Sequence, residues 1–331
     1  MERGPEEIIA LAEYLLRIAG MPGDVERVSR FSTGYTNEMW SVCLRSGDQV
    51  VLRRYQWPHD SPDLDRLQKE VFLHDQLGKH GVPVARVLSH AQEKQSAAML
   101  LEYLPGELLG DICMSLTPGA CDQAWFSCGQ ALRRAHAITY PAGTSGVIVG
   151  DRIQPAVSET WGHWQMYNLV HHARQMKNSH GVRVDIEHLQ CLCERALPFL
   201  NNHQPCLLHN DLHPWNVLVT QVDGTWTCSG WLDWEYAWVG DPTWDLTRMD
   251  LWRTKPIGQT PDAFWKGYGK HPMEPNRSIY QMSLYLWQAN EALTSSDDRL
   301  TATRCQALEY VTCLDEHIQR LQMQLEQNEI A

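Results

Sequence analysis

The sequence predicts an α+β fold, with an N-terminal five-stranded antiparallel sheet and one inserted helix, followed by a mainly helical C-terminal part. Three observations predict it. Short β-like runs broken by turn residues crowd the chain before Leu104, and helical spacing of apolar residues dominates after Gly110. β-like character then returns only between His203 and Trp234.

Ile8, Ile9, Ala12, Leu15, Leu16 and Ala19 recur at helical spacing, and Gly20 and Pro22 stop that helix. Residues 25–31, 37–45 and 49–55 read as three strands of a meander. They are joined by Ser32-Thr33-Gly34-Tyr35-Thr36 and by the turn Ser46-Gly47-Asp48. A helix over 62–77 carries Leu64, Leu67, Val71 and Leu77 on one face. Strands at 86–90 and 97–102 complete the sheet, and Leu104-Pro105-Gly106 ends it. The one boundary therefore falls at about residue 104, between a part spanning 1–104 and a part spanning 105–331. Helices are predicted over 120–137, 158–175 and 185–200, and short strands at 206–208, 216–220 and 226–231. Leu308, Val311, Leu314, Ile318 and Leu321 predict one continuous final helix.

Composition narrows the function. With 28 Lys and Arg against 40 Asp and Glu, the chain of 331 residues carries a net charge of −12 and has no Lys/Arg-rich stretch. A concentrated basic face is what nucleic-acid binding requires, so no nucleic-acid partner is expected. No apolar run reaches the roughly 18 residues of a membrane span, so no membrane partner is expected either. The N-terminal apolar stretch is interrupted by Glu13 and Arg17, unlike a signal peptide. Ten cysteines lie scattered without a Cys-x-x-Cys pair, as expected for reduced thiols in a cytoplasmic protein, monomer or homodimer. Most of the 14 tryptophans are expected in the core.

The densest polar cluster is His209-Asn210-Asp211-Leu212-His213-Pro214-Trp215-Asn216, between two apolar runs. Downstream, Trp231-Leu232-Asp233-Trp234-Glu235 sets another carboxylate at the end of a strand. Asp211, Asn216 and Asp233 together offer a base and hard oxygen ligands, which suits Mg²⁺ and a phosphate. His209-x-Asp211, Asn216 after four further residues, Leu232-Asp233-Trp234-Glu235 and Gly240-Asp241-Pro242-x-x-Asp245-Leu246 together resemble the aminoglycoside phosphotransferase and choline kinase group. These are small-molecule relatives of the protein kinases.

The resemblance implies a two-lobed protein-kinase-like fold and a small-molecule hydroxyl acceptor, phosphorylated from ATP or GTP with Mg²⁺. Asp211 would accept or orient the proton of the acceptor hydroxyl, while Asn216 and Asp233 would hold the metal. Ser32, Thr33 and Gly34 fall where the family has its nucleotide-covering loop, although the G-x-G-x-x-G of protein kinases is lacking. Arg53, paired with Glu70 of the following helix, would position the α- and β-phosphates. Strand alternation turns Arg53 and Arg54 to opposite faces, so only one enters the cleft. Glu102 and Tyr103 lie in the segment that resembles the hinge, whose backbone would hold the nucleotide base. Asp241 and Asp245 would tie the loop and cap the helix beginning at Pro242, and His136 reads as a packed, hydrogen-bonded histidine.

The acceptor is less constrained. The acidic chain and the carboxylates and tryptophans after residue 237 (Trp238, Trp244, Asp250, Trp252, Trp265, Trp287, Glu291, Asp297 and Asp298) suit a cationic alcohol of the aminoglycoside type. The Thr144-Ser145-Gly146 turn followed by the Trp161 segment is similar to the hygromycin-type branch. Choline, homoserine, methylthioribose or a sugar would serve the same machinery. The runner-up class is a metal-dependent hydrolase or oxygenase, with Zn²⁺ or Fe²⁺ on His209, Asp211 and His213 and with Asp233 or His203 as a further ligand.

Overall fold

The structure is a computed structural model that describes residues 5–31, 37–55, 64–93, 96–155, 160–251, 259–294 and 301–330. Its N-terminal lobe runs α1 (Pro5–Ile18), β1 (Val25–Arg30), β2 (Asn37–Leu44), β3 (Gln49–Tyr55), α2 (Leu64–Lys79), β4 (Val87–Glu93) and β5 (Ser96–Glu102). The five strands form one antiparallel sheet in the order β1-β2-β3-β5-β4. Alternation along the strands divides its two faces. Leu52, Ala98 and Leu100 pack with Ile8, Leu15 and Leu16 of α1, whereas Tyr55, Ala97, Met99 and Leu101 pack with Leu67 of α2. Arg53 shares the face of Tyr55 and so turns towards α2. Arg54 turns the other way and pairs with Glu38, its near neighbour across β2.

The C-terminal lobe continues with β6 (Glu107–Leu108), α3 (Leu109–Ile112), α4 (Pro118–Ala135), β7 (Gly146–Val149), β8 (Arg152–Pro155), α5 (Trp161–His180) and α6 (Ile186–Leu200). There follow β9 (Cys206–Leu208), β10 (Val217–Val222), β11 (Thr225–Trp231), β12 (Trp238–Gly240), α7 (Pro242–Leu251), α8 (Asp262–Tyr268), α9 (Asn276–Thr294), α10 (Thr301–Thr312) and α11 (Leu314–Ile330). Two small sheets, β11-β10-β6 and β8-β7-β12-β9, sit within these helices. The chain turns from β9 to β10 through residues 209–216 and from β11 to β12 through 232–237, so both polar motifs are loops that cross from one small sheet to the other. One hydrophobic core gathers around α4, with Trp125, Trp231, Trp234 and Phe264. A second gathers around α5, α6 and α9, with Trp161, Leu189, Tyr280 and Leu286.

Gly106 follows the Leu-Pro that ends the first sheet. It holds a φ of +137°, and a Cβ there would lie 2.6 Å from the Val219 carbonyl oxygen, so the crossing between lobes requires glycine. Two sequence expectations are corrected. The final helix is two helices, because the chain breaks at Cys313, and the apolar spacing from Leu308 to Leu321 runs through that break in phase. β6, β7, β8 and β12, of two to four residues each, are too short to leave a pattern and were not anticipated.

Candidate active site

Arg53 of β3 is the centre of the site. Its Nη1 lies 3.3 Å from Glu70 of α2, and its Nη2 lies 3.1 Å from both Asp233 and Glu235. Burial alone would lower the affinity of the guanidinium for its proton, but Glu70, Asp233 and Glu235 outweigh that, and Arg53 stays charged. Glu70, fully buried, also accepts a 2.9 Å hydrogen bond from the Tyr55 hydroxyl. Burial and the nearby charges of Asp233 and Glu235 push its pKa up to about 7, against the pull of Arg53. Thus Arg53 and Glu70 form a buried pair rather than a surface ion pair.

Glu235 is the residue that sequence reasoning quoted but gave no role. Its carboxylate accepts from Arg53 and Asn37, and Arg66 lies 3.6 Å away. Its backbone carbonyl accepts a 2.7 Å bond from Lys69. It stands two positions beyond Asp233, which has a left-handed φ of 63° that turns the loop sharply and brings both carboxylates to the same arginine. The adjacent Lys69-Glu70 on α2, facing two carboxylates of one loop, was the signal available in the sequence.

The loop from His209 to Asn216 is held from beneath by Asp245 of α7. Its Oδ2 accepts from the His209 N–H at 2.7 Å and from His136 Nε2 at 3.1 Å, and its Oδ1 accepts from the Asn210 N–H at 2.9 Å. His136 is thereby the packed, hydrogen-bonded histidine expected, and its other ring nitrogen meets the Tyr268 hydroxyl at 2.8 Å. His209 donates from Nε2 to the Leu232 carbonyl at 2.7 Å and accepts the Asp211 N–H at Nδ1. Burial lowers its pKa and keeps it neutral. With both ring nitrogens taken, His209 has no lone pair to give a metal, which removes the His-Asp-His set of the hydrolase reading. Among the described residues no group of three or more His, Cys, Asp or Glu is arranged to hold a metal ion.

Asp241 caps α7 by accepting the Thr243 N–H at 2.8 Å. Its second oxygen accepts from Asn276 and from the Tyr280 hydroxyl, itself bonded by Trp161 Nε1. Gly240 before it lets Trp161 approach, since a Cβ there would lie 2.3 Å from the indole.

Asp211 sits at the top of the loop. Arg248 of α7 donates to its Oδ1 at 2.6 Å, Asn216 Nδ2 donates to its carbonyl at 3.0 Å and approaches Oδ2 at 3.4 Å, and His213 Nε2 lies 3.7 Å from Oδ2. Burial would raise its pKa, but His213 and Arg248 outweigh that and hold the carboxyl well below the usual range. Arg248 was not anticipated. It lies three positions after Asp245, on the same face of α7, and that spacing was its signal.

Two oxygens are left for a cation. Asn216 Oδ1 accepts no hydrogen bond among the described residues, and Asp233 keeps a carboxylate that is 37% exposed with one oxygen not engaged by Arg53. An amide oxygen and a carboxylate oxygen suit a hard cation such as Mg²⁺. Glu102 ends β5 and pairs with Arg86, and Tyr103 beyond it is partly exposed. Ser32, Thr33 and Gly34 lie outside the described residues, as do Trp252, Asp297 and Asp298.

A profile of the phosphotransferase enzyme family matches residues 27–280. The chain belongs to that family. Among solved structures, this phosphotransferase is similar to the GDP complex of wild-type aminoglycoside 2'-phosphotransferase-IIIa. The TM-score is 0.64 at 15% identity, over 96% of this chain and 99% of that one. It is also similar to a Thermobifida fusca protein assigned as a fructosamine-3-kinase, with a TM-score of 0.57 and 21% identity over 92% and 100% of the two chains. Macrolide 2'-phosphotransferase MphH from Brachybacterium faecium, as apoenzyme, gives 0.55 and 17% over 90% and 97%. Comparison with the curated proteins finds no significant match. These likenesses show a protein-kinase-like fold for this phosphotransferase. No helix among its described residues is long and apolar enough to cross a membrane.

Proposed function

We propose that this phosphotransferase moves the γ-phosphoryl group of ATP or GTP to a hydroxyl of a small molecule. The observation that carries the reading is the joining of Arg53, Glu70 and Asp233 across the lobes at 3.1–3.3 Å, with Asp211 and Asn216 on the adjoining loop. In this reading Arg53, fixed by Glu70, takes the α- and β-phosphates, and the backbone at Glu102 and Tyr103 takes the base. Asn216 and Asp233 hold one or two Mg²⁺, which neutralise charge on the β- and γ-phosphates when bound.

Asp211 receives the acceptor hydroxyl. Its depressed pKa keeps it ionised, so it orients the O–H and takes the proton late, as the bond from the hydroxyl oxygen to the γ-phosphorus forms and the bond to the β-phosphate oxygen breaks. Little covalent assistance is needed, and positioning carries most of the rate.

The cationic acceptor suggested by the net charge of −12 is a long-range argument, screened over about 8 Å at physiological salt. At contact distance the picture differs. Asp250 is paired with Arg277 at 2.6 Å, and the charge beside Asp211 is that of Arg248. The test is a nucleoside-diphosphate release assay with Mg²⁺ and ATP or GTP, over aminoglycosides, choline, homoserine, methylthioribose and sugars, paired with thermal midpoints. Mg²⁺ plus nucleotide is expected to raise the midpoint, since a ligand stabilises the state that binds it. Stabilisation by Zn²⁺ alone, with none from Mg²⁺ and nucleotide, would count against the reading.

A further inference from the structure

The side chain of Arg248 is nine-tenths buried beside the carboxylate proposed to receive the acceptor hydroxyl. Its guanidinium lies 5.5 Å from the ring centre of Trp287 of α9, which is 37% exposed. One of its five N–H groups holds Asp211, yet Nε is buried with no acceptor among the described residues. A buried donor left unpaired destabilises the free protein and is satisfied on binding a matching acceptor group. A buried ion pair is also a poor source of stability, since well-packed apolar residues serve as well. Arg248 offsets the burial of the Asp211 carboxylate, and its unpaired Nε leaves a further donor for a ligand.

We propose that Arg248 selects an acceptor carrying a carboxylate close to the hydroxyl that is phosphorylated. The guanidinium, steadied by the face of Trp287, bridges that carboxylate and Asp211, and so brings the hydroxyl to the base. Without the arginine, the carboxylates of acceptor and Asp211 would repel each other. A cationic amine at the same place would meet Arg248 as a like charge. Among the described residues, Asp250 is paired with Arg277 and Asp245 with the backbone of the loop.

The inference rests on the kinase reading, and its experiment separates the two. Full-length protein with Mg²⁺ and ATP or GTP is offered matched pairs: D-glycerate and glycerol, D-gluconate and D-glucose, L-serine and ethanolamine. Nucleoside-diphosphate release is read for each. Where neither member of a pair turns over, the thermal midpoint of the nucleotide-bound protein is read instead. The member that carries the carboxylate is expected to win by at least about tenfold in kcat/KM, the size of one hydrogen bond to a charged group, or to give the larger shift. In Arg248→Met the preference collapses towards one, and Arg248→Lys restores part of it because the charge remains without the fork. A wild-type preference near or below one overturns the proposal, as does a preference that survives in Arg248→Met or a panel in which no carboxylate-bearing member responds more than its partner. The kinase reading fails separately, if Mg²⁺ and nucleotide give no thermal shift.

Discussion

Arg53 and Asp233, 180 positions apart, meet at 3.1 Å and tie the sheet of the N-terminal lobe to the loop that follows β11. Because the same guanidinium also serves Glu70 and Glu235, its loss strands two buried carboxylates and removes the partner of the half-exposed Asp233. Arg53→Met is expected to lower unfolding free energy by about 3–5 kcal/mol, the usual cost of removing one partner of a buried charge pair. Adding Glu70→Gln should restore part of it, because one uncompensated charge is gone. Urea denaturation of the three proteins checks this, and equal midpoints for wild type and Arg53→Met would sink it.

The raised pKa of Glu70 gives stability a pH signature. Its folded value of about 7 lies above its ordinary value of 4.5, so the folded state binds the proton more tightly than the unfolded one. The resulting stability is complete below the ordinary value and is lost as pH rises through the folded one. Relative to Glu70→Gln, the wild type should therefore lose stability between about pH 5 and about pH 8. Parallel denaturation midpoints for the two proteins across that range would contradict the assignment.

Both oxygens of Asp245 accept N–H bonds, from His209, Asn210 and His136. Asp245→Asn keeps the shape but turns an NH₂ group towards a donor. The loop should lose about 2–3 kcal/mol of support, the cost of a buried donor left unpaired near a charge. Nucleoside-diphosphate release should fall as well, because Asp211 rides on that loop. A variant as stable and as active as wild type would show that the loop is held elsewhere.

What the sequence revealed of the site follows the distance over which its residues interact. His209, Asp211 and Asn216 lie on one turn, so their spacing is visible in the sequence, and strand alternation set Arg53 and Arg54 on opposite faces without choosing between them. The five-strand sheet was legible because each strand is a short β-like run that ends at a turn. Glu235, Lys69 and Arg248 were missed because each acquires its role from a partner on another element: Arg53, the Glu235 carbonyl and Asp211. Asp250, read as an attraction for a cation, is neutralised by Arg277 of α9, a pairing that composition does not show. The break at Cys313 left no trace because its flanking residues keep the helical period and no Gly or Pro marks it.

The central claim is that Asp211 serves phosphoryl transfer, and the most direct measurement compares wild type with Asp211→Asn for acceptor-dependent nucleoside-diphosphate release in Mg²⁺ with ATP or GTP. The account predicts a loss of about 10² to 10⁴-fold, the usual contribution of a positioned proton acceptor, while the thermal shift given by Mg²⁺ and nucleotide persists. Transfer in Asp211→Asn within about tenfold of wild type would contradict it.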